Sequence, residues 1–357
     1  MLSGGFVGGK QQLKERWVGD MNIKYILKRL LYAIPAILLV IIIIFVLTRV
    51  MPGNPARTYL GEMATQEQVD QLTEEWGLND PLPVQFFRYI QGLLKGDFGY
   101  SWHTHRTVLE DFAKRFPASL ELAIWAICIA IIIGIPLGIV SATHKNSLID
   151  HGARIFSMLG ATMPVFWFGL MLILIFYAEL GWSVAPIGRI SSGINPPTTV
   201  TGLYVLDSIL TGDIIALKDS VKHLLLPAFT LSMSSMAVLA RMTRASMLEV
   251  LGQDYIRTAR AKGMKERIVI YRHALRNALI PILTVLGGQF GMMLGYTVVV
   301  ETIFSWPGIG FYVTDSILNT DYNPVQAFAL LSAILYVIIN LVLDILYAVV
   351  DHRVKYD

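Results

Sequence analysis

The sequence predicts an all-α integral membrane protein, on three observations. Apolar residues make up 54% of the chain against 15% charged, the mean hydropathy is +0.56, and the apolar residues gather into six segments able to cross a bilayer. Inside hydrocarbon every backbone amide must be satisfied within the structure, so such runs are read as helices. The net charge is only +3 and the basic residues collect in particular loops, which speaks against nucleic-acid binding. The single cysteine, Cys128, sits in an apolar run, excludes an internal disulfide, argues against a cysteine metal cluster and is read as packing.

Residues 1–20 are polar and glycine-rich, and Gly4 to Lys10 reads G-G-F-V-G-G-K, the spacing of a phosphate loop. Gln11 stands where a magnesium-binding Ser or Thr belongs and no strand precedes the glycines, so the segment is read as an upstream extension, with Met21 able to serve as a start. Leu30 to Leu47 is apolar for about 18 residues, roughly 27 Å of helix, with Lys24, Lys28 and Arg29 ahead of it. Arg49, Met51 and Pro52 follow in place of a small-residue cleavage site, so it is an anchor that stays rather than a signal peptide.

Residues 51–117 form the longest polar region, with short amphipathic helices expected at Thr65 to Trp76 and Pro83 to Leu94, punctuated by Pro81, Gly96 and Gly99. The region is too small for a catalytic domain. His103 and His105 make an H-x-H pair, which lacks an acidic or cysteine ligand at metal spacing and is read as solvated surface. Five further spans follow: Leu120 to Val140, carrying Gly134, Pro136 and Gly138; Ile155 to Leu180, holding Pro164; Leu224 to Ala240; Ala278 to Val300; and Val325 to Val350.

The loops orient these spans. His144, Lys145 and Arg154 lie between the second and third, and Arg257, Arg260, Lys262, Lys265, Arg267, Arg272 and Arg276 between the fourth and fifth, whereas Thr302 to Pro324 has Asp315 and Asp321 and no Lys or Arg. The positive-inside rule then puts both termini and the basic loop in the cytoplasm of a multi-pass cell-membrane protein. The expected division is a cytoplasmic segment 1–29, a first transmembrane helix 30–50, an extracytoplasmic region 51–117 with helical character, a five-helix core 118–351 containing the cytoplasmic loop 245–277, and a cytoplasmic tail 352–357.

The stretch Asp254 to Pro281 organises the rest. Asp254 is a candidate N-cap and Gly263 a candidate C′ stop, giving a helix from Tyr255 to Lys262 that is too short to stand alone. Ile256 and Ala259 fall on one side, Arg257, Arg260 and Lys262 elsewhere, and Ala259, Ala261 and Gly263 leave room for a partner backbone. Ile268, Tyr271, Leu275, Ala278 and Ile282 then recur at spacings of three and four, as in a helix leading into the membrane. A solvated basic loop is the alternative.

Gly287, Gly291 and Gly295 form two overlapping G-x-x-x-G steps, suited to close packing either within the chain or against a second subunit. Glycine and proline in several spans suit a structure that changes shape. Among Glu121, Glu179, Glu301 and Asp344 only Asp344 lies well inside an expected span; no ionisable chain continues from it, so a structural hydrogen bond is preferred to a proton relay. There is no H-E-x-x-H, no G-x-S-x-G and no credible phosphate loop, so the chain carries no engine of its own.

Several motifs together resemble one family. R-T-A-R-A-K-G (Arg257 to Gly263), H-A-L-R-N-A-L-I-P (His273 to Pro281), V-V-V-E-T-I-F-S-W-P-G-I-G (Val298 to Gly310), D-I-L-Y-A-V-V-D-H-R (Asp344 to Arg353), M-P-G-N-P (Met51 to Pro55), G-D-F-G-Y-S (Gly96 to Ser101) and L-L-L-P-A (Leu224 to Ala228) are similar to the dipeptide/oligopeptide, or peptide/nickel-type, permeases of binding-protein-dependent ABC importers. The resemblance covers nearly everything from Met21 onward. It implies a type I ABC importer permease fold with 118–351 as its transmembrane core. The basic loop becomes the EAA loop, the element that couples a permease to its ATPase. The residues implied in coupling are Asp254, Tyr255, Arg257, Thr258, Ala259, Arg260, Ala261, Lys262, Gly263 and Met264. Arg257 stands where the general importer consensus has Glu, and Arg276 where it has Pro, as in the peptide-type branch.

The resemblance further implies a second homologous permease subunit, two ABC ATPase subunits that bind ATP and magnesium, and an extracytoplasmic solute-binding protein. This chain is then a non-catalytic subunit without cofactor or metal, in a bacterial or archaeal membrane. Gly287, Gly291 and Gly295 are candidates for permease–permease packing. Ser305, Trp306, Pro307, Gly308, Asp315 and Asp321 are candidates to face the binding protein, and the substrate path runs between the permeases, lined partly by the third and fifth spans. The expected cargo is di- and oligopeptides, with nickel chelates or glutathione on the same architecture as alternatives. An ion-coupled secondary transporter and a membrane-embedded enzyme are the readings from other classes; the first needs ionisable groups at membrane depth and the second a nucleophile or metal constellation.

Overall fold

The computed structural model describes residues 23–50, 54–61 and 63–350, which are almost wholly helical. The G-G-F-V-G-G-K stretch, the Asp344 side chain and the chain from Asp351 onward lie outside the described residues. In order come α1 (Ile23–Val50), α2 (Pro55–Leu60), α3 (Gln66–Glu75), α4 (Leu82–Leu94), a hairpin of β1 (Tyr100–Ser101) and β2 (Arg106–Thr107), α5 (Val108–Thr143), α6 (Leu148–Thr162), and α7 (Val165–Leu172), which a π-helical Ile173–Glu179 continues. Then follow α8 (Tyr204–Thr211), α9 (Ile214–Leu251), α10 (Asp254–Ala261), α11 (Glu266–Ile268) with a π-helical Val269–Ala274, α12 (Leu275–Ile303), α13 (Ile309–Leu318) and α14 (Tyr322–Val350).

Four helical stretches are long and apolar enough to cross a membrane: α5, α9, Glu266–Met293 running into α12, and Tyr322–Leu341 of α14. A fifth is present if α6 and α7 form one span, and the apolar Ile34–Arg49 of α1 is shorter than the rest. The six expected spans are therefore matched by length and composition in four or five places among the described residues. The largest departure is at Pro164. Proline disfavours the α conformation in the residue before it, and Met163 is extended (φ −66°, ψ 129°). The expected span Ile155 to Leu180 is accordingly a pair of helices bent by 109°.

α9 is the most buried of the spanning helices, and small residues explain why others approach it so closely. A Cβ at Gly134 of α5 would lie 2.8 Å from the Met236 carbonyl oxygen, and one at Gly138 2.6 Å from that of Ala240. Lipid tails are as apolar as leucine, so van der Waals fit of this kind is what joins spanning helices. Gly160 of α6 meets Met233 and Ala237, and Gly169 of α7 meets Thr230. Pro117 and Pro136 stand inside α5 and Pro227 inside α9, yet both helices continue through them for 36 and 38 residues.

At one end of this bundle α5, α6 and α9 are joined by charge. Asp150, fully buried near the start of α6, accepts from Arg244 Nε at 2.7 Å and Nη2 at 2.9 Å, from Ser141 Oγ at 2.6 Å and from the Asn146 amide at 3.0 Å.

Candidate functional site

α10 leaves the bundle at that same end, between α9 and α12. Its N-cap is Gln253, in extended conformation, with Asp254 the first helical residue rather than the cap as expected; there its carboxylate still meets the positive end of the helix dipole. At the other end Gly263 takes φ +74°, its amide donates to the Arg260 carbonyl at 2.9 Å and that of Met264 to the Ala259 carbonyl at 3.4 Å. These are the two bonds of a Schellman stop, and the left-handed residue it needs is the expected glycine.

Only one side of α10 is anchored. Ile256 is fully buried and Ala259 nearly so, both in the main apolar core with Val269 and Ala274, and Met264 packs at its edge. Asp254, Tyr255, Arg257, Thr258, Arg260, Ala261, Lys262 and Gly263 are exposed. Two ion pairs stiffen that exposed side: Arg257 to Asp254 at 3.3 Å, and Arg260 to Glu266 in a two-pronged contact at 2.7 and 3.1 Å. The Asn277 side-chain amide donates to the Tyr255 hydroxyl at 2.8 Å, tying α10 directly to the first turn of α12. A protruding helix whose underside is locked to a spanning helix can pass a push on.

The run after α10 differs from its expected register. Ala278 and Ile282 are buried, but Ile268 and Tyr271 are exposed, at 38% and 53%, and Val269 and Ala274 are buried in their place. The cause is the π-helical turn Val269–Ala274. Its wider repeat puts residues five apart on one side, so a spacing of three and four read backwards from Ile282 loses register there.

α12 then carries the chain 29 residues to the opposite end. Of its glycines, Gly287 is buried and Gly291 abuts the Tyr336 ring of α14, where a Cβ would lie 2.9 Å away, whereas Gly295 is exposed with nothing within 4 Å. Gly291 thus packs within the chain, and Gly295 is open.

At that opposite end Ser305, Trp306, Pro307 and Gly308 turn the chain from α12 into α13. Trp306 is buried and its indole N–H donates to the Ala118 carbonyl at 2.9 Å; the Ile309 amide donates to Ser119 Oγ at 2.8 Å. Gly308 and Gly310 are held against the buried Glu301 carboxylate, which accepts from the Phe311 amide at 3.0 Å. Asp321 is buried too, accepting from Ser101 Oγ at 2.6 Å and the His103 amide at 3.3 Å. Burial pushes its carboxyl above the usual range, against those hydrogen bonds. Of the six residues singled out there, Trp306, Gly308 and Asp321 are turned inward and fix the segment, Ser305 and Asp315 are half-buried and Pro307 is exposed. His103 is not merely solvated: its Nε2 lies 3.1 Å from Asp315.

One buried pair at this end escaped sequence reasoning. Arg189 Nη2 lies 2.6 Å from Glu121 and 2.8 Å from the Gly202 carbonyl, with its guanidinium 3.6 Å from the Tyr204 ring centroid. The partners are 68 residues apart, so no local pattern marks them. Among the described residues no group of three His, Cys, Asp or Glu side chains is placed to hold a metal ion.

Comparison with known proteins gives this architecture a context. A family described as binding-protein-dependent transport system inner membrane component matches residues 134–356, and the N-terminal region of such membrane components matches residues 22–123. A dipeptide transport system permease protein, DppB, of Alkalihalophilus pseudofirmus is 46% identical over 93% of this chain and 99% of its own length. The oligopeptide transport system permease protein AppB of Bacillus subtilis is 40% identical over 93% and 99%. The glutathione transport system permease protein GsiC of Salmonella paratyphi A is 38% identical over 94% and 99%.

Proposed function

The chain belongs to the family of binding-protein-dependent transport system inner membrane components, and from that premise we propose that it is the permease subunit of an ATP-driven importer of di- and oligopeptides. The cargo follows the relatives that carry dipeptides and oligopeptides in their names; glutathione, the cargo named for another relative, is the alternative. A second permease completes the path, two ATPase subunits hold ATP and magnesium, and an extracytoplasmic binding protein delivers the solute. Both termini and α10 are cytoplasmic, and the α12–α13 turn and α13 face outward toward the binding protein through Ser305, Pro307 and Asp315.

The observation that carries the mechanism is α10, exposed over most of its surface, seated in the core by Ile256 and Ala259 and tied to α12 by the exposed Tyr255–Asn277 bond. α10 seats in the ATPase, and its displacement as the ATPases close is handed to α12, which shifts the bundle between inward and outward openings. A contact can favour one opening only by binding it better than the other. Peptide uptake by membranes carrying the whole importer tests this. Gly263→Pro forbids φ +74° and unseats α10, so uptake should be abolished while the chain still inserts. Uptake that persists in that variant, or that survives loss of the ATPase subunits, contradicts the coupling and favours a secondary transporter.

A further inference from the structure

α4 shows three faces. Gln85, Phe86 and Tyr89 turn inward: Arg49 Nε of α1 donates to Gln85 at 2.8 Å, and the Phe45 ring of α1 lies 5.2 Å from Phe86 and 5.9 Å from Tyr89, centroid to centroid. A second face, Arg88, Gln91 and Lys95, is polar and exposed, with Arg88 paired to Asp80 at 2.8 Å. The third, Pro83, Phe87 and Leu94, recurs at spacings of four and seven, is apolar, and is bare: Phe87 is 74% exposed and Leu94 84%.

The depth of α4 is fixed by what it touches. It is held by Phe45 and Arg49, in the last turns of α1, where the apolar run gives way to an arginine. α14 agrees on that level, because Gln326, one turn into its span, donates to Thr48 at 2.6 Å. One turn or so further down α1, Ile42 and Val46 are exposed apolar residues within the apolar run Ile34–Arg49. An apolar face at this height continues that surface, and a polar face beside it meets water.

We propose that α4 is an interfacial helix, seated on α1 with Phe87 and Leu94 in the outer boundary of the lipid bilayer and Gln91 and Lys95 in water. It thereby holds the region between α1 and α5 down at the membrane surface. This inference rests on the membrane-spanning character of the chain and is independent of cargo and ATPase coupling.

Spin-label accessibility tests it, using the full chain with its accompanying subunits in phospholipid nanodiscs. Labels are attached singly at Phe87→Cys, Leu94→Cys, Gln91→Cys and Lys95→Cys in a Cys128→Ser background. Labels at 87 and 94 should collide severalfold more with oxygen, relative to a water-soluble nickel complex, than labels at 91 and 95. Equal access of the nickel complex at all four positions places the face in water and overturns the proposal. Protection of 87 and 94 from both reagents overturns it as well, because protein then covers that face.

Discussion

Single residues toward the α13 end of the bundle carry sharp consequences. A Cβ at Gly310 would lie 2.5 Å from the Val298 Cα, and backbone cannot yield as a flexible side chain can. Gly310→Ala should therefore destabilise the chain by about 1–3 kcal/mol, by overpacking, visible as a lowered thermal midpoint in nanodiscs. Gly295→Ala, with open space around it, should leave that midpoint near the parent's. Asp207 supplies a pH dependence. Burial pushes its carboxyl up, but the Thr201 hydroxyl and the amides of Thr201, Val200 and Gly202 more than offset this, so its pKa lies below the ordinary value. A depressed folded pKa means the stabilisation is present above the unfolded value of about 3.9 and is lost as pH falls below it. Hydrogen exchange at Val200–Gly202 should accelerate as pH drops through that range after correction for intrinsic rates, and Asp207→Asn should flatten the response.

Elements were legible in the sequence where the cause is local. The stop of α10 at Gly263 needs only a left-handed residue, and the apolar pair Ile256 and Ala259 needs only helical periodicity, so both could be read in advance. The bend at Pro164 was visible as a proline, but its size of 109° depends on how α6 and α7 lie against α9. The π turn Val269–Ala274 changes the helical repeat itself, which is why Ile268 and Tyr271 fell on the wrong side. Partnerships across long separations, Asp150 with Arg244 and Glu121 with Arg189, left no periodic trace. The first of these gives a prediction at this scale. Arg244→Met removes two charge-assisted hydrogen bonds from the buried Asp150 carboxylate and leaves it the more distant Arg154, at 3.9 Å, as its cation, so it should cost about 2–3 kcal/mol, and adding Asp150→Asn should recover a substantial part. Denaturant or thermal unfolding of the two single variants and the double variant reads this out.

For the whole molecule, the distribution of rigidity matters more than any one contact. The α13 end is pinned by Trp306 on α5, by Asp321 on the hairpin and by Arg189 between α5 and α8. At the other end α10 presents an exposed, internally braced surface whose route into the bundle is the Tyr255–Asn277 bond and the core around Ile256. Under the proposed coupling, a force applied at α10 would be delivered to α12, with the pinned end as the fulcrum. Tyr255→Phe should keep the fold and insertion intact yet reduce uptake more than it reduces nucleotide hydrolysis, as measured by the ratio of peptide transported to ATP consumed.

The most direct measurement is site-directed crosslinking from α10 itself. Thr258→Cys, in a chain whose Cys128 is replaced by Ser, is treated with a short bifunctional reagent in sealed vesicles carrying the complete importer, with and without a trapped nucleotide. The account predicts a product joining this chain to its nucleotide-hydrolysing partner, with a yield that changes on trapping. Labelling of position 258 from the outer face, or no product with that partner in either state, would contradict it.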